Sequence, residues 1–186
     1  MTGFWLLVAF VGAQRLTELI IAKKNERWMR EQGGYERGAE HYKWIVMLHV
    51  MFFVSLATEV AVFGARPAFW WPLPFVVFLC AQFLRVSVLV AMGRYWNTKI
   101  MILPGAEVVA KGPFRYIRHP NYVTVTLEFL SLPLMFQAYY TALLFSALNA
   151  LVLVGIRIPE EEKALREATD YGESTGQSRW FPRPRR

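Results

Sequence analysis

The sequence predicts an all-α integral membrane bundle. Five transmembrane helices are expected, with a cytoplasmic C-terminal helix and cofactor-binding segments between them. Three observations predict it. The 186 residues are 55% hydrophobic and 16% aromatic, with a mean hydropathy of +0.26. That is too apolar for an ordinary water-soluble domain of this length, so part of the solvent must be lipid. The apolar residues are gathered into runs of membrane-spanning length. The basic residues fall almost wholly between alternate runs.

The first run covers 4–22. No basic residue precedes it, Gln14, Arg15 and Glu18 interrupt it, and no small-residue cleavage pattern follows. It therefore reads as a membrane helix and not as a signal peptide. The second and third runs cover 44–63 and 70–92. The fourth (122–136) is short, and a tight turn at Gln137 joins it to the fifth (138–157). With no repeat and no low-complexity linker, this is one domain. Its three-helix N-terminal part covers 1–92, and 93–186 is the chemistry-bearing part.

Seventeen Lys and Arg residues lie in 23–43, 93–121 and the segment after 157, against Arg66 alone on the opposite face. By the positive-inside rule the N-terminus is outside and the C-terminus cytoplasmic. The net charge of +7 thus sits where anionic lipid headgroups attract it, including the terminal "RPRR". It does not call for nucleic acid. The one cysteine, Cys80, excludes an internal disulfide and a cysteine-cluster metal site.

Ionisable groups inside the spans are costly in hydrocarbon and point to function unless paired. They are Arg15, Glu18, His49, Glu59, Arg85 and Glu128. Arg15 and Glu18 are three residues apart and can neutralise each other. Arg85 needs a carboxylate, which Glu128 or Glu18 could supply. Glu59 lies near the outer end of its span and can reach water. His49 reads as a core histidine satisfied within the bundle. Glu128 is either an arginine's partner or a base working on a substrate hydroxyl.

Two cytoplasmic stretches can form a site. "GPFRYIRHPNY" supplies Arg115, Arg118 and His119 as donors for a carboxylate or phosphate, with Tyr116 and Tyr122 as ring faces beside Trp96. "RIPEEEKAL" supplies Glu161 and Glu162. Pro159 and the three glutamates suit a fresh helix N-terminus, where they would serve the dipole. Alternatively, one or two of them point back at the "RHPNY" segment as acceptors for hydroxyls, an amine or a sulfonium. A ligand with a carboxylate, a sugar, a purine and a positive centre would match, as S-adenosylmethionine does. NADPH leaves the glutamates less to do, and no G-x-G-x-x-G follows a strand.

Both motifs resemble those of the isoprenylcysteine carboxyl methyltransferase family, which has G-P-[FY]-R-[YH]-x-R-H-P-x-Y, a helical hairpin and then E-E-x-x-L. The likeness is dense over 93–168. Phospholipid methyltransferases and membrane sterol reductases carry stretches similar to R-H-P-x-Y. "RLTELIIAKKNERWMREQGGYERGAEHY" and "RHPNYVTVTLE" resemble a bacterial branch acting on alkylpyrone or alkylresorcinol lipids. The resemblance implies S-adenosylmethionine as cofactor, a lipophilic acceptor that is either a polyketide-type lipid or a prenylcysteine-like carboxylate, and a pocket built from His119, Tyr122, Glu161 and Glu162. Arg118 would orient the turn or the cofactor carboxylate. Read from the residues themselves, Arg85 or Arg15 could steer an anionic acceptor within the membrane, with Glu128 as the partner of such an arginine or a base for a less acidic hydroxyl. The family's second C-terminal tyrosine is missing from "ATDYGESTGQSRWFP", where only Tyr171 and Gly172 match. A carboxylate or an acidic enol needs no base for methylation, whereas a phenol does. The rival enzyme is an NADPH-dependent membrane reductase. A non-enzymatic scaffold leaves Glu128 and Arg85 unexplained.

Overall fold

Residues 2–64 and 66–168 are described by a computed structural model. Helix α1 (Thr2–Glu31) continues about two and a half turns beyond its apolar run. Gly33 and Gly34 end it, and the Gly34 N–H bonds the Met29 carbonyl at 2.8 Å. A Cβ on Gly34 would lie 2.7 Å from that same oxygen, so only glycine fits. Strand β1 (Tyr35–Arg37) then pairs antiparallel with β2 (Ile100–Ile102), Glu36 opposite Met101. This small ribbon is the only sheet among the described residues.

Helix α2 (Ala39–Phe63) ends at Gly64, whose left-handed backbone (φ 57°) lets its N–H reach the Val60 carbonyl. Helix α3 (Pro72–Met92) starts on a proline, as a first turn tolerates. Helix α4 (Pro120–Met135) has 16 residues, about 24 Å at 1.5 Å per residue. It packs chiefly on α3 and α5. The expected hairpin is present. Gln137 turns at φ 59° and donates from Nε2 to the Arg66 carbonyl at 2.9 Å, and α5 (Tyr139–Val152) begins two residues on.

Four helices are long and apolar enough to cross a membrane; α4, expected as a fifth span, is shorter and is buried along most of its length. One expectation needs revision here, because no separate helix starts at Pro159. Helix α5 passes through a π-turn (Leu153–Arg157) straight into α6 (Ile158–Ala168). The local start signals misled because proline's missing N–H fits a helix start, whereas a wide turn just before it can absorb the lost bond equally well.

The core lies where α1, α2, α3, α4 and α5 meet. Phe52 and Phe129 stack face to face at 4.2 Å, with Phe4, Leu56, Leu132 and Phe145 around them. The outer faces carry exposed Leu6, Phe10, Ile20, Phe83, Val90 and Leu143. An apolar surface that extensive belongs in lipid. Glu59 does not reach for water as expected. It is buried and accepts the Tyr140 and Thr141 N–H groups at 3.0 and 2.7 Å, capping α5 from another helix.

Candidate active site

Pro120 opens α4 and bars His119 from helical geometry, leaving it at φ −123°, ψ 61°. The His119 ring therefore turns toward α6. Its Nε2 lies 3.2 Å from Glu162 Oε1 and its Nδ1 4.0 Å from Glu161. The ring stacks on Tyr122, centroids 5.4 Å apart. The Tyr122 hydroxyl donates to Glu161 and accepts from Arg157 Nε at 3.2 Å. Arg157 also donates to the Thr98 carbonyl at 2.7 Å, and Arg166 holds the far side of Glu162 at 3.0 Å. The glutamates thus point back at the "RHPNY" segment. The continuous α5–α6 rod makes this possible, because it carries them back past the start of α4.

The two glutamates differ. Glu161 lies on the wall of a cavity of about 620 Å³, with Trp96, Arg118, His119, Asn121, Tyr122 and Arg157. Glu162 is 2% exposed, off that wall, between His119 and Arg166. Arg115 and Tyr116 do not reach the cavity, and the Arg115 guanidinium stays over the Tyr116 ring. Trp96 is buried, its carbonyl held by Asn25 Nδ2 at 2.8 Å. Two buried atoms on the wall, Trp96 Nε1 and Asn121 Oδ1, have no hydrogen-bond partner. Such orphans are costly in a protein interior unless a ligand or water completes them.

At its membrane-depth end the same cavity meets Arg15, Glu18, His49 and Arg85. Glu128 accepts from Arg15 (2.7 and 2.9 Å), Arg85 (2.5 and 3.0 Å) and Gln82 (2.7 Å). Glu18 accepts from Arg15 (2.6 Å), Arg85 (3.1 Å) and Gln14 (3.2 Å). Helices α1, α3 and α4 are thereby tied through two cations and two carboxylates. Both partners that the sequence offered to Arg85 are engaged at once.

Near the ribbon, Lys99 binds Glu26 and Glu36, each at 3.0 Å. Burial alone would lower Lys99, but these bonds outweigh it and hold its ammonium above its ordinary value. The sequence reading passed over Arg157, Thr98 and Asn121. Arg157 had a visible signal, a cation at the end of an apolar run just before three glutamates. Thr98 and Asn121 had none, since chain topology alone brings them to the wall.

Comparison with known proteins decides the family. The family model for the isoprenylcysteine carboxyl methyltransferase (ICMT) family matches residues 73–167, half of the chain. The chain belongs to this family. It is a membrane methyltransferase by that membership, and the matched region contains Arg85, Glu128, His119 and both glutamates. Two relatives extend the likeness over the N-terminal helices. The uncharacterized protein YpbQ of Bacillus subtilis is 46% identical over 164 residues, 88% of this chain and 97% of its own. An uncharacterized protein of Haemophilus influenzae is 27% identical over 158 residues, 84% of this chain and 91% of its own. Among the described residues no group of His, Cys, Asp and Glu could hold a metal ion. All of the "ATDYGESTGQSRWFP" stretch after Ala168, with Tyr171 and Gly172, and the "RPRR" tail lie outside the described residues.

Proposed function

We propose that this methyltransferase uses S-adenosylmethionine to methylate an oxygen of a polyketide-type lipid, of alkylpyrone or alkylresorcinol character. The reaction would take place at the cytoplasmic face, with the N-terminus outside and the C-terminus inside. One observation carries the reading. A single cavity joins a hydrogen-bonding cluster at the basic end of the bundle to an apolar chamber at membrane depth. A water-soluble donor and a lipid-dissolved acceptor could meet there.

The wall suits the cofactor. Glu161 and Tyr122 can take its hydroxyls and offset its positive charge, His119 and Arg118 can face its carboxylate, and the orphaned Trp96 Nε1 and Asn121 Oδ1 offer one donor and one acceptor. When bound, the cofactor supplies an electrophilic methyl group. The protein's part is positioning and exclusion of water, which can account for much of the barrier lowering. Glu162 holds His119 in place from behind. Glu128, accepting five hydrogen bonds, is a poor base, and its role here is to hold Arg15 and Arg85 against the acceptor chamber.

Calorimetry on purified protein with S-adenosylhomocysteine and with NADPH tests the cofactor. Binding of NADPH alone would overturn the methyltransferase reading in favour of a reductase. Mass spectrometry of lipid extracts from cells with and without the protein tests the acceptor. The expected change is a lipid heavier by one methylene in the cells that contain it.

A further inference from the structure

The acceptor chamber holds one titratable ring that the proposed chemistry has not used. His49, on α2, lines the cavity beside the ion cluster. Its Nδ1 lies 2.8 Å from the Ile45 carbonyl, one turn back. A carbonyl can only accept, so Nδ1 carries the hydrogen. In the neutral ring Nε2 is then a bare lone pair, with no donor bonded to it among the described residues. Phe129 holds the ring edge-on at 5.0 Å, which fixes its plane. A fixed tautomer with the acceptor nitrogen open to a cavity is what a proton acceptor needs.

The charges nearby say what kind of acceptor molecule fits. At this end of the cavity the cations are Arg15 and Arg85, and Glu18 and Glu128 already match them. Among these side chains a carboxylate would find no unmatched cation to hold it, because both arginines are already engaged, and only the cofactor's sulfonium could offset its charge. An uncharged hydroxyl adds no charge and can donate its hydrogen bond to His49.

Resting on the methyltransferase reading above, we infer that the acceptor is an uncharged phenol-type lipid hydroxyl and that His49 Nε2 takes its proton. The balance is simple. The acceptor O–H bond breaks toward Nε2 and the oxygen forms a bond to the methyl carbon. That carbon's bond to sulfur breaks, the sulfonium becoming a neutral thioether. The imidazolium later returns its proton to water.

The test compares a 5-alkylresorcinol with an alkylbenzoate of the same chain length. Parent protein is expected to bind and methylate the resorcinol and to reject the benzoate. H49N keeps a donor for the Ile45 carbonyl and loses Nε2, and H49Q serves as the second variant. Both should bind S-adenosylhomocysteine like the parent, which shows that they fold. Both should lose about 10²–10⁴-fold in kcat on the resorcinol, with KM changed far less. The loss should shrink as electron-withdrawing ring substituents make the phenol more acidic. A readout without cofactor is nitrogen-15 NMR of histidine-labelled protein, where the resorcinol should shift the His49 Nε2 signal and the benzoate should not. Preference for the benzoate, or an unchanged kcat in either variant, would overturn the assignment of His49. Failure of the parent to bind S-adenosylhomocysteine would instead overturn the methyltransferase reading beneath it.

Discussion

The two polar clusters on the cavity differ in where their unsatisfied atoms lie. At membrane depth, Arg15, Glu18, Arg85 and Glu128 pair among themselves, with Gln14 and Gln82 adding donors. The buried orphans there, Gln14 Oε1 and Gln82 Oε1, lie off the cavity wall. At the basic end, His119, Tyr122 and Glu161 are linked to one another, and the orphans beside them, Trp96 Nε1 and Asn121 Oδ1, are on the wall. Paired charge is what hydrocarbon demands, because no water is there to solvate a lone ion. An orphan on the wall is where a ligand or water can arrive. The first cluster therefore ties helices together, and the second awaits something.

Breaking the charge-paired cluster should give the largest effect. R85M leaves Glu128 and Glu18 each short of a cation. Removing one partner of a buried pair costs about 3–5 kcal/mol. The expected outcome is a large fall in melting temperature in detergent, with E128Q lower as well. S-adenosylhomocysteine affinity of the protein that remains folded should stay near the parent's. A variant as stable as the parent would make the cluster functional and not structural, which reverses the comparison.

The open cluster should respond the other way. H119A and E161A should each weaken S-adenosylhomocysteine binding, since losing a charge-assisted hydrogen bond costs about 1.5–3 kcal/mol, roughly ten- to a hundredfold. Their melting temperatures without ligand should move little. E162Q should weaken binding less than E161A, because Glu162 is off the cavity wall and acts through His119. Calorimetry and thermal melts on the same preparations read both quantities.

How far the sequence reached follows the same division between local and non-local causes. Helices α1, α2 and α3 were legible because each has a mainly apolar run of membrane-spanning length. The pairing of Arg85 with Glu128 was legible because hydrocarbon leaves an ion few choices. His119, Tyr122 and Glu161 were reachable only through their motif context. Glu59 was misjudged because its partners, the Tyr140 and Thr141 N–H groups, start a helix about eighty residues away. The continuity of α5 and α6 was missed because a π-turn has no residue signature as plain as a proline's. E59Q makes that non-local bond measurable. Losing a side-chain cap typically costs about 1 kcal/mol, so a modest drop in melting temperature is expected, with cofactor affinity untouched.

The smallest effect belongs to Lys99, which falls between the two regimes. It is partly exposed and salt-bridged to Glu26 and Glu36 beside the cavity wall. Its folded-state value is raised, so its contribution to stability is complete below the ordinary lysine value and disappears as pH climbs through the folded one. Melting temperature should therefore decline on the alkaline side, and K99M should remove part of that decline while leaving the neutral-pH melt close to the parent. Water screens a pair this exposed, so the whole contribution belongs in the range of about 0–1 kcal/mol found for surface ion pairs. Raising ionic strength should shrink it further, whereas the Arg85–Glu128 contribution should hardly change with salt. If salt erases both equally, water reaches the membrane-depth cluster, and the contrast between a closed and an open end of the cavity fails.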